Sequence, residues 1–198
     1  KDGRLTTQPE AFYAQFPQTL ISQFCVENGL YLLPTFELIT YMHALINEAQ
    51  TIEIGAGNGC LGRALRVKMT DNYMQTWPEI AGAYRAMQQT TVQYGEDVVK
   101  ADALEAIKRF KPKTVIAGWV THKWDQREDW RGGNQHGIDF KKMMRRIDTF
   151  MMVGNDETHK HSPLMDDKVE RKTIRDIGIV SRSMFPEKNA LYVWGRKK

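Results

Sequence analysis

Cysteine is scarce in this sequence: Cys25 and Cys60 are the only two thiols in 198 residues, and they stand far apart with no metal-type spacing. That excludes a disulfide scaffold and a cysteine-based zinc module, and suggests reduced thiols in a cytoplasmic protein. Apolar runs of membrane-spanning length are missing, and the opening KDGRLTTQPE lacks the regions of a signal peptide, so no membrane association is expected. Internal repeats and low-complexity linkers are also absent, which argues against solenoids and strings of modules. Positive charge is rare at the front. Residues 1–60 hold two basic and six acidic side chains, a net −4, and the remainder must carry +8 to give the formal +4. Lys108, Arg109, Lys111 and Lys113, or Lys141, Lys142, Arg145 and Arg146, could meet an anion with that excess, or could be solvated helix faces.

The length, with 41% apolar residues, suits one domain able to bury a sizeable core. Residues 1–50 read as a helical cap. Its best helix begins at Thr35, a capping residue behind Pro34, and places Phe36, Ile39, Met42, His43 and Ile46 on one face, with His43 as a packed core histidine. From residue 51 the pattern alternates. Strand-like runs TIEI at 51, RVKMTD at 66, DVVKAD at 97, KTVIAGWV at 113 and TFMMVGN at 149 are separated by helical spacing, CLGRAL, PEIAGAYRAMQQT, ALEAIKRF and IDFKKMMRRI. This predicts an α/β fold with a mostly parallel, doubly wound sheet and ligands at the carboxyl ends of its strands. The tail adds IVSRSMF (179–185) and ALYVWGRK (190–197), two runs joined by PEKN and expected to form a closing antiparallel hairpin.

The first strand ends in TIEIGAGNGCLG, which holds two overlapping glycine signatures. Glu53-x-Gly55-x-Gly57-x-Gly59 is one; Gly57-x-Gly59-x-x-Gly62, the spacing that seats a dinucleotide pyrophosphate on a helix N-terminus, is the other. Glycine at 55 and 57 lets the backbone turn tightly and approach a ligand, and at 59 lets the next helix pack close.

A parallel sheet whose first strand ends in this glutamate–glycine loop and whose last strands form a hairpin resembles the class I, Rossmann-like S-adenosylmethionine-dependent methyltransferases. The resemblance runs over residues 50–198, with a methyltransferase core at 51–198 behind the 1–50 cap. In that family a seventh strand inserts antiparallel to the others, and ordinary nicotinamide-binding folds lack it. The resemblance implies S-adenosyl-L-methionine as cofactor. It implies that Glu53, Gly55, Gly57 and Gly59 surround the donor's amino-acid end and sugar, that Asp71 accepts from both ribose hydroxyls, and that Asp102 receives the adenine amino group beside the backbone of Ala103. An NAD(P)-dependent oxidoreductase built on Gly57, Gly59, Gly62 and Asp71 is the rival, and a non-catalytic S-adenosylmethionine-binding regulator is a third reading.

In the family the loop after the fourth strand faces the transferred methyl. Enzymes acting on amino groups of DNA bases or protein glutamine carry Asn/Asp-Pro-Pro-aromatic there, whereas this chain has AGWVTHKWD from residue 117. Trp119 and Trp124 are candidate walls of an acceptor pocket and His122 a candidate general base, because imidazole takes a proton near neutral pH. The stretch 125–137, with Trp130 and Gly132-Gly133, reads as a flap or an ordinary exposed loop. His159 and His161 read as solvated loop histidines. Asn155-Asp156 is similar to the acidic pair of magnesium-dependent catechol-type methyltransferases, but Gly118 stands where the matching carboxylate belongs, so no metal is expected. The methyl acceptor is unidentified; a small molecule or peptide is favoured over nucleic acid, for which no reading module is present.

Overall fold

The computed structural model describes residues 5–195. Helices Glu10–Tyr13 (α1), Gln18–Glu27 (α2) and Phe36–His43 (α3) and the two-residue strand Leu32–Leu33 (β1) make up the N-terminal part. Then come Thr51–Ile54 (β2), Cys60–Ala64 (α4), Lys68–Asp71 (β3), Pro78–Ala86 (α5), Val99–Lys100 (β4), Ala103–Phe110 (α6), Thr114–Gly118 (β5), Phe140–Met144 (α7) and Thr149–Asn155 (β6). Asp156–His159 (α8), Lys172–Ile174 (β7), Val180–Ser181 (β8) and Asn189–Gly195 (β9) complete the chain.

The main sheet has seven strands in the order β4-β3-β2-β5-β6-β9-β7. Strands β2 to β6 are mutually parallel, and β9 runs antiparallel to both β6 and β7, so one reversed strand is inserted near that edge. Such strands are covered on both faces, which is why TVIAG and TFMMVGN are nearly continuous apolar runs. Alternate side chains of β5 and β6 serve opposite cores. Val115, Ala117, Phe150 and Met152 pack with Ala106 and Ile107 of α6 and Phe140 and Met143 of α7. Ile116, Met151 and Val153 pack with Leu38 and Met42 of α3 and Leu61 of α4. The result is a doubly wound α/β sandwich with a helical N-terminal part.

Side chains mark the helix starts. Thr35 accepts from the Leu38 N–H, Asp102 from Leu104 and Asp139 from Lys142, each satisfying a donor that the first turn leaves open. The face of α3 differs from the expected stripe: Leu38 and Met42 are buried, while Phe36 is exposed. His43 is also exposed and bonds Glu48 at 2.6 Å, so it is not a core histidine.

The closing hairpin has a different partner from the one the sequence suggested. Strand β9 pairs with β7, while β8, inside the 179–185 run, pairs antiparallel with β1 in a separate two-stranded sheet. Alternation marks a strand without naming its neighbour, and here polar contacts choose it. The Gln18 amide donates to the carbonyls of Ser181 and Ser183, and the Thr35 hydroxyl to that of Gly178. Residues 178–183 thereby hold the N-terminal part against the sheet. The expected continuation of the last strand to 197 lies partly outside the described residues.

From β2 the chain builds β3 and β4 on one side and then crosses to β5 and β6 on the other. The crevice where the direction reverses lies at the carboxyl ends of β2 and β5, the default ligand position of such sheets. Among the described residues no helix is long and apolar enough to cross a membrane.

Candidate functional site

Between β2 and α4 the backbone enters the left-handed region at Gly55, Gly57 and Gly59, with φ of 60°, 57° and 78°. Side chains with a Cβ rarely adopt this conformation, so the loop needs its glycines. Two carboxylates hold it. Asp71, at the end of β3, accepts from the Gly57 N–H at 2.9 Å and from the Tyr73 N–H at 2.8 Å. Glu53, 2% exposed inside β2, accepts from the Gly62 N–H at 2.9 Å. A Cβ built on Gly62 would collide with that same Glu53 oxygen. The third glycine of the apparent dinucleotide spacing therefore makes room for Glu53 and for the Met69 side chain beside it.

These groups open onto a cavity of about 190 Å³ at the switch point. Glu53, Gly55, Gly57, Asp71, Asp102 and Ala103 all line it, from the ends of β2, β3 and β4. Gly59 does not; a Cβ there would lie 2.8 Å from the Met69 sulfur, so it serves the packing of α4. Asp102 is exposed and its Oδ1 also accepts from the Leu104 N–H, so the side chain that caps α6 stands at the cavity as well. Burial pushes the Glu53 carboxyl up to about 8, against the opposing pull of the Gly62 N–H. Burial raises Asp71 too, opposed by the Gly57 and Tyr73 N–H groups. Three carboxyl groups and no Lys or Arg line the cavity among the described residues.

The far walls come from the N-terminal part and the segments after β3 and β5. Tyr31 and Leu32 face the cavity, with the Tyr31 hydroxyl 2.5 Å from that of Tyr84. The Gln75 side-chain Oε1 accepts from the Val92 N–H at 2.8 Å, tying the 87–98 segment to this wall. None of these residues was read from the sequence as part of the site. Tyr31 in a connecting segment and Tyr84 in α5 carry no spacing signal, and only the fold brings them over the strand ends.

Of the three aromatic candidates after β5, only Trp119 lines the cavity. It sits at φ 58°, donates its backbone N–H to Val153 at 2.9 Å and meets the His159 ring edge-on at 5.5 Å. Its indole N–H is buried without a partner. A non-glycine residue in this conformation stores strain, a feature that clusters at functional sites. His122 and Trp124 are not brought to the cavity. The His122 ring lies behind it against Gly133, its Nε2 is buried without a partner, and burial lowers its pKa. Trp124 donates to Asp129 at 2.7 Å within its own loop.

The 121–138 segment crosses back over the site. Bridges pair His122 with Ile138 and Lys123 with Asn134, and the return limb brings Asn134, His136 and Gly137 to the cavity. His136 meets Trp77 edge-on at 4.5 Å, and its carbonyl accepts from the Asn72 amide at 3.4 Å. His136, rather than His122, is the histidine that faces the cavity.

After β6 the expected solvated histidines divide. His161 is exposed, but His159 is buried, 7% exposed, because its Nδ1 accepts from the Asn155 N–H at 3.1 Å under Trp119. Asp156 is taken up by Arg175 and by the Tyr192 hydroxyl, each at 2.6 Å. No three His, Cys, Asp or Glu side chains among the described residues form a metal-ligand group. Burial pushes the thiols of Cys25 and Cys60 up to about 12, which leaves neither a thiolate nucleophile at neutral pH.

No protein-family model and no curated protein matches the chain. Solved structures similar to it include an rRNA methylase from Streptococcus thermophilus, at 9% identity, covering 81% of this chain and 94% of that one with a TM-score of 0.41. A protein of the NADB-Rossmann superfamily from Streptococcus agalactiae is 11% identical, covers 81% and 68% and has a TM-score of 0.35. An uncharacterized protein from Listeria monocytogenes serotype 4b is 10% identical, covers 81% and 67% and has a TM-score of 0.38. Scores and identities this low carry nothing about activity; the fold stands on the strand order and register themselves.

Proposed function

We propose that the chain is a class I methyltransferase that binds S-adenosylmethionine in the switch-point cavity and transfers its methyl to an acceptor entering beside Trp119. The observation that carries this reading is the lining of the cavity: carboxyl groups from the ends of three neighbouring strands, which a bound cation would draw into their ionised form, and no Lys or Arg among the described lining residues. A sulfonium donor with an α-ammonium group suits such a lining. A nicotinamide dinucleotide brings two phosphates and would rely on the five-residue helix α4 to meet them, at the place where Glu53 fills the space left by Gly62.

In this reading the glycine loop and Glu53 take the amino-acid end of the donor, Asp71 takes the ribose hydroxyls, and Asp102 with the Ala103 backbone takes the adenine edge. The reversed strand β9, inserted between β6 and β7, supports the same family resemblance. The donor supplies an electrophilic methyl on sulfur. The residues of this chain align it: Gly118 at the end of β5 and Trp119 just after it face the reacting groups, and the 134–137 limb and Tyr31 screen them from water. Alignment of this kind supplies much of the rate in a bimolecular transfer. In this reading His136, which lines the cavity, receives the acceptor proton.

Trp119 gives the test. Titration with S-adenosylhomocysteine is expected to change tryptophan emission saturably, and Trp119→Phe to remove most of that change. A folded protein whose emission stays constant at millimolar ligand would overturn the proposal.

A further inference from the structure

The positive charge of the C-terminal part gathers at one edge of the molecule. A crossover helix runs back against its strands, so β3, β5 and β6 begin, and the helices before them end, at the sheet edge opposite the cavity. That edge collects Lys68 at the start of β3, Arg109 and Lys111 at the end of α6, Lys113 before β5, and Arg145 and Arg146 after α7; all six are exposed. Contacts join these elements. The Lys68 ammonium lies 4.6 Å and the Arg109 guanidinium 5.0 Å from the centre of the Phe110 ring, so β3 and α6 share one platform. The N–H groups of Asp148 and Thr149 both donate to the Lys113 carbonyl, which seats the α7–β6 turn beside it.

None of the six cations pairs with a carboxylate of the described residues. The acids near this edge are Asp148 and Glu48, the latter held by His43. By contrast, Lys142, Lys160 and Lys188 elsewhere on the surface each have an acidic partner. From β3 to β6 the edge spans three strand spacings, about 14 Å. That is room for several phosphates of one duplex strand, which carries a charge about every 3.4 Å.

We propose that this edge binds the phosphate backbone of a nucleic acid, at a site separate from the cavity. A bilayer surface fits less well, because membrane-surface helices insert apolar side chains. None of the exposed large apolar residues belongs to β3, α6, β5 or α7; Leu45, shortly before Glu48, is a single exposed apolar side chain towards this edge, and Phe110 is half-buried beneath the two cations. The inference does not rest on the identity of the cavity ligand.

Fluorescence anisotropy with a fluorescein-labelled, mixed-sequence, 20-nucleotide single-stranded RNA tests it across a potassium chloride series. Four to six neutralised phosphates give a slope of log K against log salt of about −3 to −4. The fourfold reversal Arg109→Glu, Lys111→Glu, Arg145→Glu and Arg146→Glu should weaken binding more than tenfold. Lys160→Glu with Lys188→Glu should leave it within twofold. If the fourfold variant melts early, Arg145→Gln with Arg146→Gln should flatten the slope by about 1.4. A salt-independent signal, affinity unchanged in the reversal or neutralisation variants, or binding to phosphatidylserine vesicles without binding to RNA would overturn the proposal.

Discussion

The Glu53 carboxylate holds the Gly62 N–H at 2.9 Å, and the same oxygen occupies the space a side chain at 62 would need. The two residues form one unit. Alanine at an interior helix position usually helps, by up to about 1 kcal/mol over glycine. Here it overpacks a closed site, at a cost of about 1–3 kcal/mol. Gly62→Ala should therefore lower the melting temperature by several degrees, and Glu53→Ala with Gly62→Ala should cost less than the sum of the single changes. Strict additivity would show that the two do not share that space.

Glu53 also sets a pH dependence. Its folded value of about 8 lies above the ordinary 4.5, so the folded protein keeps a proton that the unfolded chain has released. The stability this provides is complete below about pH 4.5 and is lost as pH rises to about 8. Melting temperatures from pH 5 to 8.5 should fall more steeply for the parent than for Glu53→Gln. Affinity for S-adenosylmethionine should rise over the same range, because a cation favours the ionised carboxylate, and the titration should release protons.

His159 acts with the opposite sign. Burial lowers its pKa below the ordinary 6.5, so its contribution is present above that value and is lost as pH falls through it. The melting-temperature gap between the parent and His159→Gln should narrow from pH 7.5 to pH 5. A gap independent of pH would mean that His159 contributes packing alone.

Asp71→Asn keeps the shape of the side chain and removes its charge. Hydrogen bonds to a charged group contribute about 1.5–3 kcal/mol, so affinity for S-adenosylhomocysteine should drop about tenfold to a hundredfold. Equal affinity in a variant that still folds would remove Asp71 from the sugar site.

Much of the architecture was legible because apolar period and turn residues are local. TIEI, TFMMVGN and ALEAIKRF form the expected elements. The glycine loop and the acids at three strand ends converge on one cavity because strand order places them there. What escaped the sequence is non-local. The partner of β9 and the burial of His159 depend on segments distant in sequence. Tyr31 and His136 enter the site through the N-terminal part and the 121–138 segment, which local patterns do not locate. His122 shows the converse: four residues past the end of β5, beyond the left-handed Trp119, its imidazole packs against Gly133 and does not line the cavity.

Calorimetric titration with S-adenosylmethionine, S-adenosylhomocysteine, NAD and NADP, run side by side on the parent protein, bears most directly on what the cavity holds. Saturable binding of the first two, with no heat from the nicotinamide nucleotides, is the outcome expected of a carboxylate-lined cavity. Binding of NAD or NADP alone would contradict the methyl-donor reading and make Gly57-x-Gly59-x-x-Gly62 the working signature after all.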